Sequence, residues 1–209
     1  MNSVPAPDVL YPATLVLAGK RCVVVGGGSD AARKVRGLVE AGADVVVVAP
    51  NICDEIRSSP VELVERPYQR GDLSWAWLAM VATDQPEVNR QVHADGQDAH
   101  VWVNAADDPE ACSFTLPAVL RQGPVNVAVS TSGYSPALAA WIRDRIAADL
   151  GPEVALLAEL LSEARDELKA AGRLTEEVDW RRALDSDMLD LIRTGHTAQA
   201  RERLQACLS

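Results

Sequence analysis

The sequence predicts an α/β fold: a doubly wound parallel sheet, then a small mixed segment and a helical C-terminal domain. Three observations predict it. Two apolar runs of strand length, Cys22–Val25 and Val45–Ala49, flank a stretch in which Ala31, Val35, Leu38 and Val39 share one helical face. Three consecutive glycines, Gly26–Gly28, join the first run to that helix. After residue 150 the strand patterns stop, and apolar positions recur three and four residues apart.

The first strand, glycine loop, helix and second strand together make a unit of about 30 residues, the size of a Rossmann-like dinucleotide-binding unit. Gly26 permits the tight turn, Gly28 lets the backbone approach a pyrophosphate, and Ala31 lets helix pack on strand. The start of the helix offers free N–H groups and the positive end of its dipole to the phosphates. The second strand ends Val48-Ala49-Pro50-Asn51, without the acid that usually binds the ribose. Asn51 is placed to bond a ribose hydroxyl instead, and no arginine follows to hold a 2′-phosphate. That favours NAD over NADP.

Val61–Val64 reads as a third strand and Trp75–Val81 as a buried fourth. Asp84 is placed to cap a helix whose first turn holds Pro86 and Glu87 and whose buried side carries Val88 and Val92. His100–Val103 reads as a fifth strand, ending at Asn104. Strand and helix alternate, so the sheet is parallel and covered on both faces. A ligand then sits at the carboxyl ends of the strands, at Gly26–Asp30, Ala49–Asn51, Thr83–Asp84 and Asn104–Asp108.

Val125, Val127 and Val129 alternate with Asn126 and Ala128, a strand with one polar face. Ser135-Pro136 opens a helix continued by Leu138, Ile142, Ile146 and Leu150. Val154, Leu157, Leu161, Ala164 and Leu168 form a narrow seam, suited to another helix or a second subunit. Leu184, Met188 and Leu191, then Ala200, Leu204 and Leu208, suggest two more short helices. The organisation read from this is a nucleotide-binding domain over 1–113, a dimerisation segment over 114–150 and a helical domain over 151–209.

Composition narrows the function. The net charge of −10 argues against nucleic-acid binding, and no apolar run reaches the length of a membrane span. The N-terminus lacks a basic region followed by an apolar core, so a cytoplasmic location is expected. Cys22, Cys53, Cys112 and Cys207 form no CxxC pair, and with only His93, His100 and His196 a resident metal site is not expected.

The chemistry-bearing stretches lie beyond the glycine loop. In Val103–Pro109 (VNAADDP), Asp107 and Asp108 follow a strand end, where a carboxylate can take a proton as hydride leaves; Asp-Asp-Pro is also a good turn. The loop Ser130–Ser135 offers hydroxyls and N–H groups to an anion, or simply caps the next helix. Arg33, Lys34 and Arg36 read as a solvated helix face that a polycarboxylate ligand would turn into a basic patch, joined by Arg121, Arg143 and Arg145. Trp75, Trp77 and Trp102 are expected in the core, while Trp141 and Trp180 are candidates to touch a flat ligand.

Taken together, four blocks resemble one family: YPATLVLAGKRCVVVGGGSDAARKVRGLVEAGADVVVVAP, VATDQPEVNRQV, VNAADDPEACSFTLPAVLRQ and GPVNVAVSTSGYSPALAAWIRDRI. In order and spacing they look like the siroheme synthase N-terminal domain, the precorrin-2 dehydrogenase and, in some members, sirohydrochlorin ferrochelatase. The resemblance runs from Tyr11 to about Leu150. It implies NAD-dependent oxidation of precorrin-2 to sirohydrochlorin, on the route to siroheme or a corrinoid. Its cofactor contacts align with Ser29, Asp30, Pro50 and Asn51, joining Gly26, Gly28 and Thr83 at the strand ends. Its catalytic aspartate aligns with Asp107, which leaves Asp108 as a turn residue.

The resemblance further implies a tetrapyrrole substrate met by Thr131, Ser132 and Arg143, a homodimer, and transient Fe2+ or Co2+ where the member also chelates. Thr131 stands where some relatives carry a modified serine, and Ser132 replaces a usual glycine. No methyltransferase activity is expected from these 209 residues. A different class, a non-catalytic NAD-binding sensor, fits the glycine unit alone but has no need of the NAADDP and STSGYSP blocks.

Overall fold

The computed structural model describes residues 10–105 and 112–208. The chain divides into two compact units, with the boundary between Thr115 and Leu116. The first holds a five-stranded parallel sheet. In chain order it runs β1 (Arg21–Val25), α1 (Ser29–Glu40), β2 (Asp44–Val48), α2 (Asp54–Arg57), β3 (Glu62–Val64), β4 (Leu78–Val81), α3 (Pro86–Ala99) and β5 (Trp102–Ala105). The strand order is β3-β2-β1-β4-β5, every pair parallel.

The uninterrupted valine runs of β1 and β2 follow from burial on both faces. Cys22, Val24, Val45 and Val47 face Ala31, Val35, Leu38 and Ile56 of α1 and α2. Val23, Val25, Val46 and Val48 face the other way, in one cluster with Val92 of α3 and the loop residues Tyr68 and Leu73. Burial pushes the Cys22 thiol up to about 11, and the Asp44 carboxylate adds to the shift.

The sequence pattern overreached at the amino edge of this sheet. Trp75 adopts a left-handed φ of 66°, and its neighbour Ala76 closes a turn onto Leu73, so β4 begins only at Leu78. Trp75, Trp77 and Trp102 are therefore not core residues: they are 91%, 60% and 50% exposed, and the Lys20 ammonium stands 4.1 Å over the Trp77 ring. Asp84 does not cap α3. Gln85 is the capping residue, and the Thr83 hydroxyl accepts its backbone N–H at 2.9 Å.

The second unit opens with an antiparallel hairpin, β6 (Ala118–Gln122) and β7 (Val125–Val129), turning at Gly123 with φ 56°. The reading of the sequence found β7 and missed β6, whose Ala-Val-Leu start and Gln-Gly-Pro exit are its only signals. Then come α4 (Pro136–Asp149), α5 (Glu153–Ala170), a single 3-10 turn, α6 (Trp180–Leu184), α7 (Met188–Arg193) and α8 (Thr197–Leu208). Ser135 caps α4 as expected, its hydroxyl accepting the Leu138 N–H at 3.1 Å with Pro136 in the first turn.

Much of the α5 seam packs on other helices of the same chain. Leu160, Ala164 and Leu168 are buried against Ala183, Met188, Ile192, Ala200, Leu204 and Leu208 of the same chain, with Leu157 and Leu161 at the margin. The three short helices close over the long one because each is too short to bury an apolar face alone. The side of α4 that stays outward carries Leu138, 48% exposed, and Trp141, 59% exposed, with the Arg145 guanidinium over the Trp141 ring.

Candidate cofactor site

The strand order reverses direction between β1 and β4: β1 leads to β2 on one side, and β4 to β5 on the other. A crevice opens at such a switch point. Gly26 lies there with φ 131°, its N–H on the Val48 carbonyl at 3.0 Å. A Cβ on Gly26 would stand 2.1 Å from the Ala82 carbonyl oxygen. One on Gly27 would stand 1.9 Å from the Asn51 carbonyl oxygen. The Gly27 carbonyl in turn accepts the Cys53 N–H at 2.9 Å. Main chain thus meets main chain on both sides of the loop, bringing together the ends of β1, β2 and β4. The role of Gly27 escaped the sequence reading, because a close approach from a distant loop leaves no local signal.

Gly28 is different. A Cβ there meets nothing within 4 Å, and Gly28 is the N-cap of α1 with no side chain capping the helix. The opening turn of α1, Ser29 and Asp30 included, presents its N–H groups and dipole toward this open space. Pro50 and Asn51, both exposed, follow β2 at the rim. Thr83 follows β4, half-buried, its carbonyl accepting from the Asn89 amide at 3.2 Å. Gly26, Gly28, Ser29, Asp30, Pro50, Asn51 and Thr83 all stand on loops leaving the carboxyl ends of β1, β2 and β4. The open cradle beside an uncapped helix start fits a dinucleotide's pyrophosphate.

Asp107 and Asp108 lie outside the described residues. The chain on either side of them is tied together. Ser113 N–H donates to the Val103 carbonyl at 2.7 Å, and Ala105 N–H donates to Cys112 Sγ at 3.3 Å. The Asn104 amide donates to the Phe114 carbonyl at 2.9 Å.

The basic residues are less free than the sequence suggested. Arg33 pairs with Asp30 at 2.8 Å, Arg36 with Glu55, and Arg143 with Asp144 at 2.7 Å. Lys34 is not on a solvated face: it is 8% exposed, with Nζ 3.3 Å from Asn104 Oδ1. Thr131, Ser132 and Arg143 belong to the second unit. The Thr131 hydroxyl donates to the Ser135 carbonyl and accepts the Ser135 N–H, at 3.0 and 3.1 Å. Ser132 takes a left-handed φ of 51°, which explains why glycine is at home there. Among the described residues no group of three or more His, Cys, Asp or Glu is placed to hold a metal ion, and no helix is long and apolar enough to cross a membrane.

Residues 13–118 match the model of a family described as "Putative NAD(P)-binding". The chain belongs to this NAD(P)-binding family. Residues 122–148 of this NAD(P)-binding protein also match the model described as "Sirohaem biosynthesis protein central". It is 35% identical over 204 residues to a siroheme synthase of Thioalkalivibrio sulfidiphilus, covering 95% of this chain and 42% of that relative. It is 35% identical over 202 residues to a siroheme synthase of Azotobacter vinelandii, covering 92% and 43%. The chain thus spans less than half the length of these relatives. Among solved structures, one titled "SirC, precorrin-2 dehydrogenase" superposes with a TM-score of 0.72 at 27% identity, covering 95% of this chain and 98% of that one.

Proposed function

We propose that this NAD(P)-binding protein is a precorrin-2 dehydrogenase, oxidising precorrin-2 to sirohydrochlorin with NAD+ in siroheme or corrinoid biosynthesis. One observation carries the reading: an uncapped helix start, open at Gly28, in a chain that superposes almost end to end on a precorrin-2 dehydrogenase. NAD is the choice over NADP because Asn51 stands where the ribose acid is usual and no arginine follows it directly.

The nicotinamide supplies the hydride acceptor. The backbone N–H groups at Gly28, Ser29 and Asp30 hold the pyrophosphate, and Pro50 and Asn51 border the adenosine ribose. Thr83 borders the crevice from β4. Asp107 takes the proton released as hydride leaves the macrocycle, so the reaction yields sirohydrochlorin, NADH and the proton. Thr131, Ser132 and Arg143 contact the tetrapyrrole. The subunits pair as a homodimer in the cytoplasm, through the outward side of α4 that carries Leu138 and Trp141 rather than through the α5 seam. Where chelation accompanies oxidation, Asp107 accepts the pyrrole protons displaced by Fe2+ or Co2+.

The test is an Asp107→Ala variant assayed for NAD+-dependent sirohydrochlorin formation. Loss of a positioned base predicts a rate about 100-fold lower or worse, with the dissociation constant for NAD+ unchanged. A wild-type rate in that variant removes Asp107 from the mechanism. Tight NAD+ binding by the wild type without precorrin-2 turnover would mean a binding module. Added Co2+ that no longer accelerates absorbance change in sirohydrochlorin above the uncatalysed rate would remove chelation.

A further inference from the structure

The acid that usually receives the adenosine ribose is missing from the end of β2, but a carboxylate stands one strand away. Val64 ends β3 in register with Val48, and the Ala49 N–H donates to the Val64 carbonyl at 3.2 Å. Glu65 therefore leaves β3 level with the exit of β2, about 5 Å across the sheet. Leu63 packs with α1 and α2, and Val64 packs on the opposite face. Alternation returns Glu65 to the side of α1 and α2, where the glycine cradle opens.

Arg57 of α2 holds this carboxylate in place. Its Nη1 donates to Glu65 Oε1 at 2.7 Å and its Nη2 to Oε2 at 2.6 Å. Its Nε donates to the carbonyl of Ile52, the residue after Asn51, at 3.1 Å. A guanidinium is planar, so these three bonds fix it between the exits of β2 and β3. The chain beyond Glu65 is braced as well. Arg66 donates through both terminal nitrogens to Asp72, at 2.8 and 2.7 Å, and Asp72 accepts the Gln69 N–H at 2.8 Å. The hydrogen bond from Arg57 keeps the Glu65 carboxyl below the usual carboxylate range, so it stays ionised.

Charge decides what such a place accepts. Each Glu65 oxygen keeps a lone pair after bonding Arg57, so it can still accept a ribose hydroxyl. A 2′-phosphate is mostly a dianion at neutral pH and meets a like charge. The arginines of α1 and α2 are committed elsewhere: Arg33 pairs with Asp30, Arg36 with Glu55 and Arg57 with Glu65.

We propose that Glu65 is a specificity-determining residue. The Glu65–Arg57 pair supplies from β3 the carboxylate that β2 lacks, accepting the adenosine ribose of NAD+ and repelling the 2′-phosphate of NADP+. This deepens the reading of the cradle as a site for NAD and rests on it; the tetrapyrrole and its oxidation do not enter.

The test titrates the full chain with NAD+ and with NADP+, read by calorimetry. Glu65→Gln keeps the side chain's shape, removes its charge and releases Arg57. NADP+ affinity should rise about tenfold or more, while NAD+ affinity falls by no more than about threefold because the amide oxygen still serves the ribose. Adding Arg57→Met to that variant should lower NADP+ affinity by about threefold or more, since the released guanidinium is what holds the 2′-phosphate. The two side chains are 40% and 48% exposed, so melting temperatures should stay within about 3 °C of wild type. Glu65→Ser carries the same expectation if Glu65→Gln does not fold. A folded variant whose ratio of NADP+ to NAD+ affinity stays within about twofold of wild type overturns the proposal, and a double variant with no fall overturns the part given to Arg57. A wild-type preference for NAD+ that survives Glu65→Gln sinks Glu65 alone. Equal wild-type affinity for the two dinucleotides sinks the preference for NAD, and Glu65 with it.

Discussion

Gly27→Ala and Gly28→Ala differ by one position and are expected to fail in opposite ways. At Gly27 a methyl group would sit 1.9 Å from the Asn51 carbonyl oxygen, 2.9 Å from its carbon and 3.0 Å from the Ile52 Cα. All three are main-chain atoms, so no side chain can swing away. Either the β1–α1 loop or the entry to α2 must move, and overpacking of this kind costs about 3 kcal/mol. For a chain of this size that corresponds to a melting temperature about 9 °C lower. At Gly28 the methyl group meets nothing within 4 Å, and the backbone, at φ −88° and ψ −168°, is extended and open to any residue. Reduced freedom of the unfolded chain is offset by alanine being a poorer N-cap than glycine, so that variant is expected to stay within about 1 kcal/mol of wild type. The same methyl group stands where the phosphates approach, and NAD+ affinity is expected to fall about tenfold or more. Thermal melts paired with NAD+ titrations read both effects. Wild-type NAD+ affinity in Gly28→Ala would refute the placement of the pyrophosphate, and a wild-type melting temperature in Gly27→Ala would refute the contact with Asn51.

Other outcomes follow from single features. The Cys22 thiol, raised by burial from 9.0 to about 11, contributes stability that is complete below pH 9 and is lost as pH rises through 11. The loss is on the order of 2 kcal/mol, and denaturant melts of Cys22→Ala against wild type should show a flatter decline across that window. A parallel decline in both proteins would count against it. Ser132→Gly relieves a left-handed residue at φ 51° and should raise stability by about 1 kcal/mol, read as a melting temperature about 3 °C higher. Leu160→Ala opens a hole where α5 meets the three short helices and should cost about 3 kcal/mol in a urea melt, which an intact α5 seam facing solvent would not.

What the sequence revealed follows from where its signals are local. β1, β2 and the glycine loop announce themselves because a strand buried on both faces must be apolar throughout, and a helix start without a side-chain cap needs small residues. Ser135-Pro136 did the same for α4. The stretch from Trp75 misled because aromatic residues favour strands, whereas the left-handed backbone at Trp75 is set by a turn onto Leu73. Lys34 was hidden by its charge: periodicity counts it as polar and outward, whereas it is buried with its ammonium on Asn104, 70 residues on. The α5 seam was visible, and so was the apolar face of α8, but periodicity marks a face without naming the helix it covers, and α6 and α7 are too short to show one. The residues set around the glycine loop were legible as strand ends. The segment holding Asp107 was legible as a strand end that a carboxylate follows, and the resemblance alone chose Asp107 over Asp108.

The interlocking at Gly26 and Gly27 has an evolutionary corollary. A Cβ at either position would meet backbone first, of Ala82 at Gly26 and of Asn51 and Ile52 at Gly27. The architecture of the loop is therefore indifferent to what residue 51 carries beyond its backbone. A lineage could exchange Asn51 for an acid or a base, retuning the choice between the two nicotinamide dinucleotides, while the scaffold beneath stayed as it was.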